Sequence, residues 1–438
     1  MKLILGLGIT GLSVARFFSL HKIPYRIADS RLSPPMLDLS EQENLLSDCH
    51  LGDWNRSLLE GVTEIIISPG IAENESIVAW SRLQDIPIIS DIELFGRYAK
   101  APIVGISGSN GKSTVTQLLG EMALSDGKHA VICGNIGKPV MESLNDDADI
   151  YIVEISSYQL DYTNNLNLLT GVVTNISPDH LDRYPDFDAY KKSKVSLYSY
   201  CEINTVNLND PLVNKIKSDR CYVIDDSEFN CEFSAKKDGD SYNFFHRKNV
   251  LMSSDELMIV GRHNVENILA ALSLGHQIGL SLKSMVRAAI DFKGLKHRLE
   301  WVVNLEGVDY FNDSKSTNAI STITAVNALS EKYKSLILIA GGIAKNEDYS
   351  EMFQLISEKI DAVILIGESA TLFSQRINGC PVSIVESMKQ AVISSKAIAK
   401  EGAVLLSPGC ASFDMFVDFN ERGEVFKRHV FEDSKDFL

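Results

Sequence analysis

The strongest constraint on the fold is a recurring run of strand length that is apolar at nearly every position, with no alternation of polar and apolar residues. Lys2–Leu7, Glu64–Ser68, Ile103–Ser107, Tyr151–Ile155, Gly171–Asn175, Leu336–Ala340, Ala362–Ile366 and Ala403–Leu406 are such runs, most of them rich in Val, Ile and Leu, and stretches of helical period separate them. A strand with one wet face alternates polar and apolar residues, whereas a strand covered on both faces does not. Short, doubly covered strands separated by helices imply βαβ units and parallel sheets, hence an α/β protein. Domain boundaries are expected near Ser90-Asp91 and near Phe292–Lys296, which divides the chain into 1–90, 91–295 and 296–438. Asp219–Asn249 is polar and weakly periodic and reads as a peripheral β-rich or loop-rich insert.

Several apolar runs end in Gly, Ser, Asn or Asp, and ligands of open α/β sheets bind at the carboxyl ends of strands. Gly6-Leu7-Gly8-Ile9-Thr10-Gly11 follows the first run and precedes a helical stretch. Its glycines permit a tight turn and let backbone approach a diphosphate, and Asp29 ends the next strand at the spacing of a ribose-binding acid. A nicotinamide dinucleotide, another diphosphate-linked nucleotide such as a UDP-sugar, or a tight turn that binds nothing all fit this loop. A second loop, Gly108-Ser109-Asn110-Gly111-Lys112-Ser113-Thr114, follows Ile103–Ser107 and opens a helix. There backbone N–H groups cradle phosphates, Lys112 reaches the β- and γ-phosphates, and the Ser113 hydroxyl holds Mg²⁺. The usual Gly-x-x-x-x-Gly-Lys spacing would need glycine at Ile106. Glu154, at the end of the Tyr151 run, stands where a second metal ligand belongs. His180, in Asp179-His180-Leu181-Asp182-Arg183-Tyr184, lies beyond a strand end near carboxylates, which favours a metal role over a structural one.

A formal net charge of -16 argues against duplex nucleic acid as a partner but leaves local phosphate loops free to bind nucleotides. The seven cysteines include no Cys-x-x-Cys and read as free thiols in a reducing compartment. Gly6, Gly8, Thr10, Gly11 and Arg16 interrupt the apolar start too early for a signal peptide, and no run of ~20 apolar residues is present to span a membrane. The expected location is the cytoplasm.

Taken in order, the phosphate loop, Glu154-Ile155-Ser156-Ser157-Tyr158-Gln159-Leu160, Asp179–Tyr184, Gly261–Asn267, Lys296-His297-Arg298, Asn312–Asn318 and Leu405–Asp414 resemble the Mur ligase family over essentially the whole chain. The resemblance implies a Rossmann-like domain for the UDP-linked substrate, a central ATPase-type parallel sheet and a C-terminal dinucleotide-binding-like α/β domain for the amino acid. Gly8–Ser13, Ser68–Ile71 and Asp91–Phe95, with no Asp-Asn-Pro-Arg signature, point within the family to ATP-dependent addition of D-glutamate to UDP-N-acetylmuramoyl-L-alanine through an acyl phosphate. The implied cofactors are ATP and two Mg²⁺ ions, and the implied assembly is a monomer.

The resemblance also carries roles to individual residues. Lys112, Asn135, His180 and Lys194 are implied in catalysis, with Ser113, Glu154, His180 and a carbamylated Lys194 at the metal ions. Asn264, Asn267, Arg298, Asp313 and Lys315 join the phosphate loop around ATP. Ile9, Thr10, Asp29, Ser30, Ser68, Pro69, Gly70, Asn135, Ser156, Gln159 and His180 are implied for the UDP substrate, and Thr317, Lys345, Ser412 and Phe419 for D-glutamate. Without the resemblance Lys194 reads as an ordinary surface lysine in a basic helical turn; a solvated loop charge is the alternative for Lys345, and a helix N-cap the alternative for Asn264. Ser412 is expected at the start of a helix. Ile343-Ala344 stands where relatives often carry an acidic residue, and Ser30 where they often carry threonine. A folate polyglutamate ligase, a nicotinamide dehydrogenase and a non-catalytic UDP-sugar sensor remain as rival readings.

Overall fold

The computed structural model describes residues 1–178, 183–225, 230–345 and 347–432. Among them the strands form sheets of five, nine and six. The first contains β1 (Lys2–Leu5), β2 (Tyr25–Asp29), β3 (Cys49–Leu51), β4 (Glu64–Ile67) and β5 (Ile88–Ser90), in the order β3-β2-β1-β4-β5 with every pair parallel. The second contains β6 (Ile103–Ser107), β7 (Ala130–Gly134), β8 (Ile150–Glu154), β9 (Leu168–Val173), β10 (Cys201–Asn207), β11 (Arg220–Ile224), β12 (Phe233–Asp238), β13 (Ser241–His246) and β14 (Asn249–Ser253). Its order is β14-β13-β12-β11-β10-β9-β6-β8-β7, parallel from β7 to β12. The third contains β15 (Glu300–Leu305), β16 (Val308–Asn312), β17 (Leu336–Gly341), β18 (Ala362–Ile366), β19 (Val382–Ile384) and β20 (Gly402–Leu406). It runs β15-β16-β20-β17-β18-β19 and is parallel except where β15 lies antiparallel on β16.

The apolar runs become strands because helices cover both their faces. Every residue of β4, β6, β8, β17 and β18 is buried. Side chains alternate in direction along a strand, so complete burial requires a layer on each side.

The chain forms two compact units. One comprises Met1–Lys237, Asn243–Met252 and Glu266–Ala289 and carries the first sheet with most of the second. The other comprises Asp238–Tyr242, Ser253–Val265 and Ile290–Leu438 and carries the third. Polar side chains bind the first two sheets together. Ser90 Oγ caps the helix Asp91–Tyr98 by accepting from Glu93 N at 3.1 Å, while Ser90 N donates to Tyr162 O at 2.7 Å. Gln159 Nε2 donates to Asp91 Oδ1 at 3.0 Å, and Asn164 N donates to Glu93 Oε2 at 2.6 Å.

Asp219–Asn249 is β-rich and peripheral, as expected: it supplies β11, β12 and β13 and leads into β14 at one edge of the central sheet, where β11 continues the parallel ladder from β10 at Thr205↔Arg220. One expectation is corrected: not all cysteines are free, since Cys221 and Cys231 form a disulfide with Cα atoms 5.3 Å apart. The pairing of Tyr222 with Phe233 sets these cysteines on facing backbone. Cys49, Cys133, Cys201, Cys380 and Cys410 are free.

Candidate active site

The order β9-β6-β8-β7 places the loop after β6 between the carboxyl ends of β8 and β9. Gly108 (φ +138°) and Gly111 (φ +82°) turn the backbone there into the helix Lys112–Ser125. A Cβ on Gly108 would lie 2.0 Å from Thr174 Oγ1, and one on Gly111 2.2 Å from Asn267 Oδ1, so neither position tolerates a side chain. The end of β9 then cradles the loop. Ser109 N donates to Asn175 O at 2.8 Å, Asn110 N to Asn175 Oδ1 at 3.0 Å, and Thr174 Oγ1 to Asn110 O at 2.6 Å. Ser109 Oγ lies 2.9 Å from the hydroxyl of buried Tyr190 and donates to Ser177 O at 3.0 Å. Lys112 Nζ curls back onto the loop, donating to Gly108 O at 2.8 Å and Ser109 O at 3.0 Å. Ser113 and Thr114 are half-buried in the first helical turn.

Beside this loop Glu154 ends β8, almost fully buried. Its Oε1 accepts from Asn135 Nδ2 at 2.8 Å, and Asn135 N donates to Glu154 O at 2.9 Å. Glu154 Oε2 is buried with no hydrogen-bond partner. An unmatched carboxylate oxygen in the interior is costly, and a cation relieves the cost. The hard oxygen donors of Glu154 and Ser113 fit Mg²⁺. Lys194, on the helix Phe187–Val195, is 2% exposed with Nζ 5.0 Å from the Tyr190 ring centroid, which rules out a solvated surface lysine. His180 lies outside the described residues.

Residues expected near the UDP substrate divide between loop and brace. Ile9 is exposed, Thr10 is half-buried at the start of the helix Ile9–Leu20, and Ser30 is exposed. Asp29 is fully buried. Its Oδ2 accepts from Leu7 N at 2.7 Å, and both carboxylate oxygens are held by Arg31. Burial works to raise the Asp29 pKa, but the Arg31 and Leu7 hydrogen bonds bring it below the usual value. Asp29 therefore shapes the glycine loop. Ser68 Oγ donates to Gly6 O at 3.1 Å, and Arg183 donates to Gly70 O and Ile71 O while its guanidinium covers Tyr158 at 4.2 Å; Pro69 lies between Ser68 and Gly70. Ser156 and Gln159 form a reciprocal cap on the helix Ser157–Leu160, and Gln159 is buried against Asp91.

In the second unit, Asp313 is buried at the end of β16. Its carboxylate accepts from Leu299 N at 3.0 Å, Ser407 Oγ at 2.8 Å and Ser316 Oγ. Burial raises its pKa to about 6, against the pull of those donors. Arg298 is exposed, and its charge is felt at Asp313. Lys315 Nζ lies 5.3 Å from the Phe419 ring, and exposed Lys345 donates from Nζ to Thr317 Oγ1 at 3.3 Å. Phe419 opens the helix Phe419–Phe431. Ser412 does not start a helix, contrary to expectation. Its carbonyl accepts from Met415 N and Phe416 N in one turn, and the helix begins only after Asp418 caps it. Asn264 lies inside the helix Arg262–Gln277, with Nδ2 donating to Val260 O at 2.8 Å, so it does not cap that helix. Asn267 is buried on the same helix.

Sequence reading missed Arg422, which is fully buried. Its Nε donates to Ser314 Oγ at 2.9 Å, one terminal nitrogen to Ser314 O at 2.7 Å and the other to Cys410 O at 3.0 Å. Ser314 Oγ donates in turn to Phe419 O at 2.8 Å. One side chain thus fastens the segments leading to Thr317, Ser412 and Phe419. It also missed Thr174, Asn175, Ser177 and Tyr190; the polar Thr174-Asn175 end of the fifth apolar run was the available signal.

The N-terminal domain profile of Mur ligases like MurD matches residues 1–90, the Mur ligase middle domain matches 106–275, and the Mur ligase glutamate ligase domain matches 297–410. A UDP-N-acetylmuramoylalanine–D-glutamate ligase of Marinobacter nauticus is 41% identical over 434 residues, covering 98% of this chain and 97% of that protein. One from Nitrosococcus oceani is 40% identical over 441 residues, covering 98% and 96%. Among solved structures, MurF of Acinetobacter baumannii superposes with a TM-score of 0.60 at 16% identity, covering 86% of this chain and 87% of that one. A UDP-N-acetylmuramate–alanine ligase of Thermotoga maritima superposes with a TM-score of 0.59 at 15% identity, covering 98% of each; these two likenesses concern the fold.

Proposed function

Because this chain belongs to the Mur ligase family, we propose that it joins D-glutamate to UDP-N-acetylmuramoyl-L-alanine in peptidoglycan synthesis, converting ATP to ADP and phosphate. The observation that carries the reading is the convergence at the ends of β6, β7 and β8. A lysine-bearing phosphate loop, Asn135 and a buried carboxylate with one oxygen unmatched meet there.

The chemistry follows from the difficulty of the bond. A carboxylate is a poor electrophile, so an oxygen of the alanyl carboxylate attacks the γ-phosphorus and the bond to the ADP oxygen breaks. The amine of D-glutamate then adds to the acyl carbon, loses a proton, and the acyl C–O bond breaks to release phosphate. The protein's part is to align these groups and balance converging negative charge. Residues 108–114 hold the triphosphate, and Lys112 leaves its resting carbonyls for the β- and γ-phosphates. Asn135 holds Glu154 and stands ready to polarise the acyl oxygen. Ser113, Glu154, His180 and a carbamylated Lys194 would hold two Mg²⁺ ions, which supply Lewis-acid stabilisation of the transferring phosphoryl group.

The labour divides along the chain. Residues 1–90 receive the UDP substrate through Ile9, Thr10, Ser30 and Ser68–Gly70, with Asp29, Ser156 and Gln159 shaping the site. Residues 91–295 receive ATP, with Asn264 and Asn267 near the nucleotide. Residues 296–438 receive D-glutamate through Thr317, Lys345, Ser412 and Phe419, while Arg298, Asp313 and Lys315 serve ATP. Two carboxylates on the amino acid call for a cation and several donors, which the Lys345–Thr317 pair begins to provide. Among the described residues no helix is long and apolar enough to cross a membrane. ATP and nucleotide-sugar substrates fit the cytoplasm.

Phosphate release from ATP, measured with each combination of UDP-muramoyl-alanine and D- or L-amino acids, tests the reading. Release should require both the sugar nucleotide and D-glutamate. Release with neither, or failure of every pair while Lys112→Ala behaves like the parent, overturns it.

A further inference from the structure

Away from the phosphate loop, on the far edge of the central sheet, Glu232, His246 and His276 converge. Glu232 immediately precedes β12, His246 ends β13, and His276 lies in the last turn of the helix Arg262–Gln277. Arg247 N donates to Glu232 O at 2.8 Å and fixes the two chain segments side by side. One ligand atom from each of the three residues lies within 4.8 Å of the others.

The contacts around Glu232 are numerous and uniformly long. Oε1 is 3.3 Å from His276 Nε2, 3.3 Å from an Arg220 nitrogen, 3.8 Å from an Arg247 nitrogen and 4.0 Å from His246 Nε2. Oε2 is 3.4 Å from Gln277 Nε2 and 3.4 Å from Arg220. Charge-assisted hydrogen bonds ordinarily close to about 2.7–2.9 Å. The Glu232 side chain is only 7% exposed. His246 Nε2 is buried and has no hydrogen-bond partner, although it faces a carboxylate. A carboxylate ringed at long range and an orphaned imidazole nitrogen facing it leave room for a small cation among them.

We propose that Glu232, His246 and His276 form a binding site for a divalent transition metal such as Zn²⁺, separate from the Mg²⁺ chemistry of the phosphate loop. Two imidazoles and one carboxylate are a ligand set such ions prefer, whereas Mg²⁺ favours oxygen. Zinc–ligand distances of ~2.0–2.2 Å put tetrahedral ligand atoms roughly 3.3 Å apart. The His276–Glu232 separation of 3.3 Å already meets this, and His246 reaches it by a small side-chain adjustment from 4.0 Å. The Arg220 and Arg247 side chains are 44% and 69% exposed, so both guanidiniums can withdraw into water when a cation replaces them. Glu232 also lines a cavity of about 500 Å³, together with Arg220, Asn230, Arg247 and Asn249, through which an ion can reach it.

The test uses full-length, tag-free, chelator-treated protein carrying Glu154→Gln, which removes the other cation site. Zn²⁺ titration by calorimetry should show one equivalent, and Co²⁺ should give the absorption of a low-coordinate site. His246→Phe, which keeps a ring against Phe233, and His276→Phe should each weaken Zn²⁺ affinity at least tenfold and abolish the metal-dependent rise in Tm. Arg247→Ala, which removes a competing cation, should strengthen affinity. Circular dichroism identifies any variant that fails to fold, leaving the other histidine variant to decide. No bound equivalent in the parent, or unchanged affinity in a folded histidine variant, overturns the site and leaves Glu232–His276 as an ordinary ion pair. Ligase activity is not a readout, so this result is independent of the proposed reaction.

Discussion

Glu154 concentrates the chemistry of the candidate site into two oxygen atoms. Oε1 is fixed by Asn135, while Oε2 is buried and unmatched. Glu154→Gln keeps the shape but removes the charge, so kcat should fall roughly 10²–10³-fold, the scale of losing one electrostatic contact to a transition state. Steady-state kinetics across Mg²⁺ concentrations check this, and an unchanged kcat would remove Glu154 from the metal site. Lys194 makes a complementary prediction. A bare ammonium repels Mg²⁺, whereas a carbamate supplies an anionic oxygen on a long stem, and the buried setting favours the modified form. Activity should decline in CO₂-depleted buffer and return with bicarbonate; insensitivity after verified CO₂ removal would defeat the carbamate. Arg422 acts through position. Replacing it with Met leaves the carbonyls of Ser314 and Cys410 without their donor, at about 1–3 kcal/mol for each buried orphan. Arg422→Met should therefore lower stability by a few such increments and raise KM for D-glutamate more than KM for ATP. Equal changes in both constants would mean that it holds the unit together without setting the amino-acid site.

At the scale of elements, the seam between the first two sheets is the most exposed to pH. Asp91 is buried at the start of its helix, and burial raises its pKa to about 6 despite the hydrogen bond from Gln159. A carboxyl whose folded pKa lies above its unfolded value contributes stability that is complete below the unfolded pKa and is lost as pH rises through the folded one. The contribution should thus be full below about pH 4 and gone above about pH 6, with a size on the order of 2–3 kcal/mol. Asp91→Asn should flatten the stability profile across that window in urea unfolding, and an unchanged slope would place the titration elsewhere. The strands themselves were legible because an apolar run covered on both faces has little alternative; Ile103–Ser107 and Ala362–Ile366 were read to the residue. The apolar pattern places the fifth run at Gly171–Asn175, but β9 spans Leu168–Val173, because Thr174 and Asn175 leave the ladder to hold the phosphate loop. Local pattern carries no record of that distant partner. For the polar strands β11 to β14 the pattern indicates only a β-rich or loop-rich peripheral stretch, because their pairing is set by an existing sheet edge and not by their own periodicity. Ser412 misled because one turn of hydrogen bonds resembles a helix start in sequence.

At the scale of the whole molecule, the two compact units possess separate cores. One is built around Phe95, Tyr151 and Leu197, and the other around Leu338, Leu365 and Leu405. Separate cores imply separate cooperative transitions, because two-state behaviour belongs to single domains. Every residue proposed for the UDP substrate within 1–90, together with Asn135, Ser156 and Gln159, belongs to the first unit. A ligand that binds only folded protein stabilises what it binds by RT ln(1 + [L]/Kd), about 2.7 kcal/mol at a hundredfold excess over Kd. Calorimetry should therefore resolve two transitions, and UDP-muramoyl-alanine alone should raise only one. Asp91→Asn identifies that transition independently, since its pH effect belongs to the seam inside the same unit. Arg422→Met should lower the other. A single transition, a substrate shift in the transition that Arg422→Met lowers, or a shift of both by the sugar nucleotide alone would contradict the assignment of that substrate to the N-terminal sheet.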